Sequence, residues 1–221
     1  MSNAISSAPE LWWLHLPPVT APKGEVAVDF QNTGTTLGHI PNVMLALANA
    51  PEPFLAMRAL YRSIMEDPDA ILSRAERELI ALVVSVENRC DLCVIGHSSV
   101  LRKLTQDPYN VGVIEVNYRR AKLSSRERVL ADFAVSVTLS PAAIEPACLN
   151  RMRTVGMTEK EILEAAYVAA YYNMSNRLMS ALGVKSQREA FFANREDRAP
   201  GLGSAHNEAP APLDHARPTN A

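Results

Sequence analysis

The chain has no apolar run approaching the roughly 18 residues that a membrane-spanning helix needs, and no basic stretch precedes an apolar one at its N-terminus. These absences exclude a bilayer span and a secretory leader from the reading and lead us to expect a cytoplasmic protein. Cysteine is scarce: three in 221 residues, two of them in one Cys-x-x-Cys, which is unlike the dense, even-numbered framework of a small secreted domain. Redox chemistry or metal binding is the better expectation for such a pair. Charge of one sign is lacking as well. With 22 basic against 24 acidic side chains and a formal charge of -2, no electrostatic basis exists for a nucleic-acid partner. No segment alternates apolar and polar residues with a period of two, so nothing marks a strand. What remains is an ordinary globular composition, 48% hydrophobic and 21% charged, at a length that fits one domain or one built from two related halves.

What the sequence does have is helix punctuation. Ser73-x-x-Glu76, Ser124-x-x-Glu127, Thr158-x-x-Glu161 and Ser186-x-x-Glu189 all fit the capping box, in which a hydroxyl accepts from an early backbone N–H and the Glu reaches back. Gly156 and Gly183 stand where C-terminal helix glycines belong, and prolines 41, 51, 53, 68, 108 and 141 fall between the periodic stretches. The expected fold is all-α. Leu72–Val86 and Leu123–Val137 share Leu, Ser, Glu, Arg, Leu, Val, Ser and Val at one constant offset, which predicts two related helical halves. Only the first half carries the Cys-x-x-Cys, so function should be asymmetric.

The predicted organisation is an N-terminal arm over residues 1–35, an all-α domain over 36–195 and an extended tail over 196–221. Pro9, Pro17, Pro18 and Pro22 interrupt the arm too often for a long helix. Its Trp12 and Trp13 are expected to dock on the body or on a neighbouring subunit, since indoles are costly to leave in water. The tail, with His206 and His215, has almost nothing to bury.

Chemistry concentrates in Cys90-Asp-Leu-Cys93-Val-Ile-Gly-His97, with Asn88 upstream as the expected N-cap. On a helix these three residues stand at i, i+3 and i+7 and share a face with Val94, Leu101 and Leu104. A helix N-terminus stabilises a thiolate, and a nearby imidazole can accept the thiol proton, so the pattern fits a nucleophile with a resolving thiol beside it. The helix capped by Ser73 presents a stripe of Ala75, Leu79, Leu82, Val83 and Val86. Glu76 is spent on the cap. Glu78 is left as the carboxylate to point from the stripe's edge towards the cysteines, where it could relay a proton through His97 or a water.

This pattern of Glu78, eleven residues, Cys90-x-x-Cys93 and His97 resembles the alkylhydroperoxidase D branch of the carboxymuconolactone-decarboxylase-like superfamily, especially its peroxidase-related members. The likeness runs from Gly38-His-Ile-Pro-Asn42, through Arg77–Leu82, to Asn173-x-x-Asn-Arg-Leu178 and Ala181–Val184. It implies an all-helical bundle that assembles as a homo-oligomer, Cys93 as the peroxidatic cysteine, Cys90 as the resolving one, and His97 with Glu78 as the proton relay. It further implies a hydroperoxide substrate and an external dithiol reductant of lipoyl or thioredoxin-like type, with no flavin, haem or obligatory metal. Members often carry a histidine or aromatic residue just before the second cysteine, where this chain has Leu92.

Plainer readings compete. The cysteines could be buried small hydrophobes, or with His97 three of the four ligands of a zinc site that lacks its fourth, in a non-catalytic redox-responsive or zinc-binding interaction protein. A decarboxylase-like enzyme would need His97 and Glu78 but not the thiols. Glu78 could be a half-exposed carboxylate paired with Arg74 or Arg77. His39 and Cys148 are expected to be structural, and Asn173, Asn176 and Arg177 to serve hydrogen bonding or an interface. A second apolar stripe of Leu92, Ile95 and Ser99, opposite the thiols, favours subunit packing together with the Ala-rich helix from Thr158 to Leu182.

Overall fold

A computed structural model describes residues 11–195; the tail with His206 and His215, and the first ten residues, lie outside the described residues. The described residues contain helices and turns but no strand. The helices are α1 (Gly24–Leu37), α2 (Asn42–Leu47), α3 (Pro51–Tyr61), α4 (Arg74–Glu87), α5 (Asp91–Thr105), α6 (Pro108–Asn117), α7 (Ser125–Leu139), α8 (Pro146–Thr154), α9 (Glu159–Leu182) and α10 (Arg188–Phe192). A π-helical turn, Arg62–Glu66, continues α3.

Three capping boxes form as the sequence predicts, at Ser73, Ser124 and Thr158, each with both reciprocal hydrogen bonds. They start α4, α7 and α9, three long helices of the core, and one cation ties them together. Arg126 donates to Glu76 and to Glu161, at 2.6 Å in each case. The fourth box does not form: α10 begins one residue later, with Gln187 at its N-cap and no side-chain cap. A five-residue helix has too few backbone bonds to hold a cap in register, and its position is set instead by docking on α5. Gly183 closes α9 in the left-handed region at φ 60°. Gly156, at φ 83°, does the same for the turn after α8.

Helix α4 departs from the amphipathic stripe expected of it. Every residue from Arg77 to Ser85 is buried, because α5, α6, α7 and α9 pack around the helix and leave it no solvent face. The main core, which includes Leu79, Leu82, Leu130, Met152, Ala165 and Val168, is built around this helix. Glu78 is therefore inside the molecule and not at a stripe's edge.

The N-terminal region is more ordered than its prolines suggest. The described prolines of the arm all precede Lys23, and the stretch after them forms the fourteen-residue α1, which crosses residue 35. Val26 and Phe30, one turn apart, pack with Phe54 of α3 and Met44 of α2, and buried Asp29 pairs with Arg58 at 2.8 Å. Ahead of α1, residues 11–16 run as a strap along the end of α9. Trp13 N–H donates to the Leu182 carbonyl and Lys185 N–H to that of Leu11, both at 2.9 Å. Trp12 is inserted, 5% exposed, while Trp13 stays 66% exposed with its ring over Gly183. Of the two indoles, then, one docks on the chain's own body.

Candidate functional site

The site forms where α4 turns into α5. Helix α4 ends at Asn88, the connection passes through Arg89 at φ 54°, and Cys90 N–H then donates back to the Ser85 carbonyl at 3.0 Å. This turn is so short that Asn88 is the C-cap of α4 and not the N-cap of α5; Cys90 takes the N-cap position. The Asn88 side chain bonds Asn173 of α9 instead, at 3.1 Å. Cys93 is consequently the third residue of α5, inside the first turn, where the helix macrodipole favours a thiolate.

Cys90 and Cys93 are paired as a disulfide with Cα atoms 5.3 Å apart. Both are enclosed, at 2% and 8% exposure, in an apolar cluster with Trp12, Ala46, Met179 and Val184, against which Leu92 also packs. Leu92 thus lies on the cysteine side of the helix, not opposite it. Part of the other face is covered by the chain's own C-terminal segment: Arg102 donates to the Ala193 carbonyl at 2.9 Å and Asn194 to that of Ser99 at 3.3 Å. Leu101 is buried as expected, whereas Leu104, near the end of α5, is largely exposed.

His97 and Glu78 meet. His97 Nδ1 lies 2.7 Å from Glu78 Oε2, and the other carboxylate oxygen takes Arg74 Nη2 at 2.7 Å and Nε at 2.9 Å. Glu78 is 1% exposed. Burial opposes its ionisation, but the hydrogen-bonded His97, when its ring carries charge, and the Arg74 guanidinium outweigh that penalty and hold the carboxyl below the usual carboxylate range. Since Nδ1 is engaged by Glu78, Nε2 is the ring nitrogen left for the sulfur side. No hydrogen bond joins either sulfur of the disulfide to the imidazole among the described residues.

The sequence-predicted quartet of Cys90, Cys93, His97 and Glu78 therefore shares one corner of the molecule. Arg74, weighed in the sequence only as the partner of a half-exposed Glu78, pairs with a Glu78 that is buried. Tyr172 was missed. Its ring meets the His97 ring edge-on at 4.4 Å, and its buried hydroxyl has no hydrogen-bond partner among the described residues. Burial, with Glu78 close by, holds that hydroxyl well above the ordinary phenol range. Nothing in the Ala- and Tyr-rich stretch of α9 singles this tyrosine out from its neighbours, so no sequence signal pointed to it.

Other candidates stay outside the chemistry. His39 is exposed and its Nδ1 contacts the Leu37 carbonyl. Cys148 is a free, half-buried thiol on α8. Asn176 is fully buried against Ser85 at 3.2 Å, and Asn173 bonds Thr138 and is in turn bonded by Arg177. Among the described residues, no group of three or more His, Cys, Asp or Glu side chains is placed to hold a metal ion, and no helix is long and apolar enough to cross a membrane.

Two stretches of the chain, residues 51–114 and 109–185, match the Carboxymuconolactone decarboxylase family. The chain belongs to the carboxymuconolactone decarboxylase family. The double match also establishes the two related halves, one centred on α4 and α5 and the other on α7 and α9. No curated protein matches the sequence. Among solved structures, a peroxidase-related protein from a Silicibacter species is 34% identical, with a TM-score of 0.80 over 86% of this chain and 100% of its own. An alkylhydroperoxidase AhpD core protein from Ralstonia eutropha, also described as peroxidase-related, is 28% identical with a TM-score of 0.81, over 86% of this chain and 99% of its own. The debrominase Bmp8 shares the fold at 19% identity, with a TM-score of 0.69 over 87% of this chain and 99% of its own. This member of the carboxymuconolactone decarboxylase family is thus similar to proteins described as peroxidase-related and AhpD-like, on a fold that a debrominase also shares.

Proposed function

We propose that the protein is a thiol-dependent hydroperoxide reductase, or a closely related disulfide oxidoreductase, of the AhpD type. The observation that carries this reading is the junction of a bonded Cys90–Cys93 pair at a helix N-terminus with a half-buried His97, one turn further on, held by the buried Glu78. In the reduced protein the Cys93 thiol gives its proton to His97 Nε2, with Nδ1–H held by the Glu78 carboxylate. The thiolate attacks the distal oxygen of a hydroperoxide, the O–O bond breaks, and the leaving alkoxide takes the proton from His97 as an alcohol or water. The Cys90 thiol then displaces hydroxide from the sulfenic acid, forming the disulfide and releasing water. An external dithiol, lipoyl-type or thioredoxin-like, reopens it by exchange. Cys93 acts as nucleophile because it sits within the first turn of α5; Cys90, at the N-cap, resolves.

The protein is expected to work as a homo-oligomer. Leu163, Tyr167 and Met174 are exposed along α9, and Trp13, Leu14 and Leu16 along the strap, apolar side chains that a second subunit would cover.

Steady-state consumption of hydrogen peroxide and of an organic hydroperoxide, run with lipoyl-type and thioredoxin-like donors, tests the reading. Turnover dependent on a donor and lost in Cys93→Ser is the expected result. No consumption with any donor, or full turnover in Cys93→Ser, overturns it. Turnover on a small lactone acid that survives Ser at both cysteines would identify a decarboxylase-like enzyme instead.

A further inference from the structure

The Glu78–His97 pair has a third member. Arg74 lies one helical turn before Glu78 on α4 and holds the carboxylate oxygen that His97 does not use, through Nη2 at 2.7 Å and Nε at 2.9 Å. The guanidinium is itself fixed from α3 and from the π turn that follows it: Arg74 donates to the Met65 carbonyl and, at 3.4 Å, to the Tyr61 hydroxyl. A π turn departs from the i→i−4 pattern of the α-helix, and here it presents successive carbonyls to α4, that of Met65 to Arg74 and that of Ile64 to Arg77 at 3.5 Å. Arg74 is thus built into the site from three sides.

Its chemical consequence follows from where the proton must be. Nε2 can accept the thiol proton only if it carries none, which requires Nδ1–H to donate to an ionised Glu78. A carboxylate with 1% exposure is strongly penalised for being charged, and a neutral imidazole supplies no countercharge. Other groups around it do not supply one either. Tyr61 of α3 and Tyr171 and Tyr172 of α9 are phenols whose ionisation burial suppresses. Arg77 is turned to Glu164 and the Ile64 carbonyl. Glu66 of the π turn adds charge of the wrong sign. On α6, Glu115 is paired with Arg102 and Arg195, and on α7 Asp132 accepts from Tyr118 and Arg126 holds Glu76 and Glu161. Among the described residues, Arg74 is the fixed cation in contact with Glu78.

We infer that Arg74 is a positioning residue of this site: by holding the second oxygen of Glu78 it fixes the polarity of the Glu78–His97 hydrogen bond, keeping the proton on Nδ1 and Nε2 free. This role rests on the proposed function for its use but not for its detection. Without the guanidinium, the buried pair takes up one proton from water, and Nε2 is protonated whether that proton is counted on the carboxyl or on the ring. A nearby opposite charge moves a carboxylate by about 1–3 pH units, so the acid limb of the pair should rise by that amount, a 10- to 1000-fold loss below the limb.

The test is the 15N NMR signature of His97 in the reduced, full-length protein at neutral pH, combined with the pH profile of hydroperoxide consumption. Wild type should show Nδ1–H with a bare Nε2. Arg74→Met should show a protonated Nε2 and an acid limb moved up, with activity recovering at higher pH, and Arg74→Lys should restore most of the wild-type pattern. Arg74→Gln, which keeps a donor for the Met65 carbonyl without charge, carries the same expectation should the Met variant fail to fold. A bare Nε2 in an uncharged variant, or a loss of activity that is equal at all pH values, overturns the positioning role. If the tautomer switches as expected but wild type consumes no hydroperoxide, the peroxidase reading falls and the role of Arg74 stands.

Discussion

Helices α4 and α7 begin alike and end differently. Each opens with a Leu, a Ser cap and a reciprocating Glu, and each carries Val-Ser-Val in its last turns, at Val84–Val86 and Val135–Val137. At the constant offset between them, Arg74 of α4 answers to Ser125 of α7, and Glu78 answers to Val129. Beyond the shared stretch, α4 turns within two residues into a helix headed by Cys90 and Cys93, whereas α7 passes through a short 3-10 turn into α8. The matching positions set caps and core packing, and they hold the two halves against each other. The differing positions are the ones that gather around the sulfurs. The duplicated scaffold thus carries its folding signals in both copies and the Cys90–Cys93 pair with Glu78 and His97 in one.

The comparison can be broken most severely at Glu78. Glu78→Gln should lower hydroperoxide turnover by about 10²- to 10⁴-fold, the usual contribution of a positioned acid–base group, measured at saturating donor. Val129→Ala, at the matching place on α7, should cost only about 1 kcal/mol of stability in denaturant unfolding and leave turnover unchanged. Comparable losses from both would show that the halves share the chemistry.

A smaller effect concerns the strap. Gly183 has φ 60°, and a Cβ there would meet the Trp13 ring at 2.2 Å. Gly183→Ala should destabilise by about 1–2 kcal/mol and free the strap, seen as a red-shifted tryptophan emission; an unchanged spectrum would contradict the docking described. Removing a cap is milder still. Ser73→Ala and Ser124→Ala should each cost about 1 kcal/mol, because both boxes satisfy the same orphan donors.

Acid gives the last test of the two halves. Glu78 has a carboxyl depressed below 4.5 in the folded protein, so its contribution to stability is present above that value and lost as pH falls through the folded one. Glu78→Gln should flatten this part of the acid unfolding curve, and Val129→Ala should not.

Much of this was legible in the sequence because it is local. Capping boxes, C-terminal glycines and the Cys-x-x-Cys are short-range signals, and three of the four boxes follow them. The pairing of Glu78 with His97, nineteen residues apart, was implied by the family resemblance and not by periodicity. What escaped depends on tertiary packing. Burial of α4 on all sides is decided by four neighbouring helices, and the edge-on contact of Tyr172 with His97 by the pairing of α9 with α4. The assignment of Asn88 to the end of α4 turns on one left-handed residue, Arg89, whose type gives no warning of it. Helix α1 carries no signal of its own against the prolines ahead of Lys23, and it has no side-chain cap to mark its start.

The most direct measurement is a thiol count. Of the three cysteines, the reduced chain should lose two free thiols after one equivalent of hydroperoxide, keeping Cys148, and Cys93→Ser should lose neither of its remaining two by this rapid route. Three thiols surviving the treatment in wild type, or an equally rapid loss in Cys93→Ser, would contradict the account.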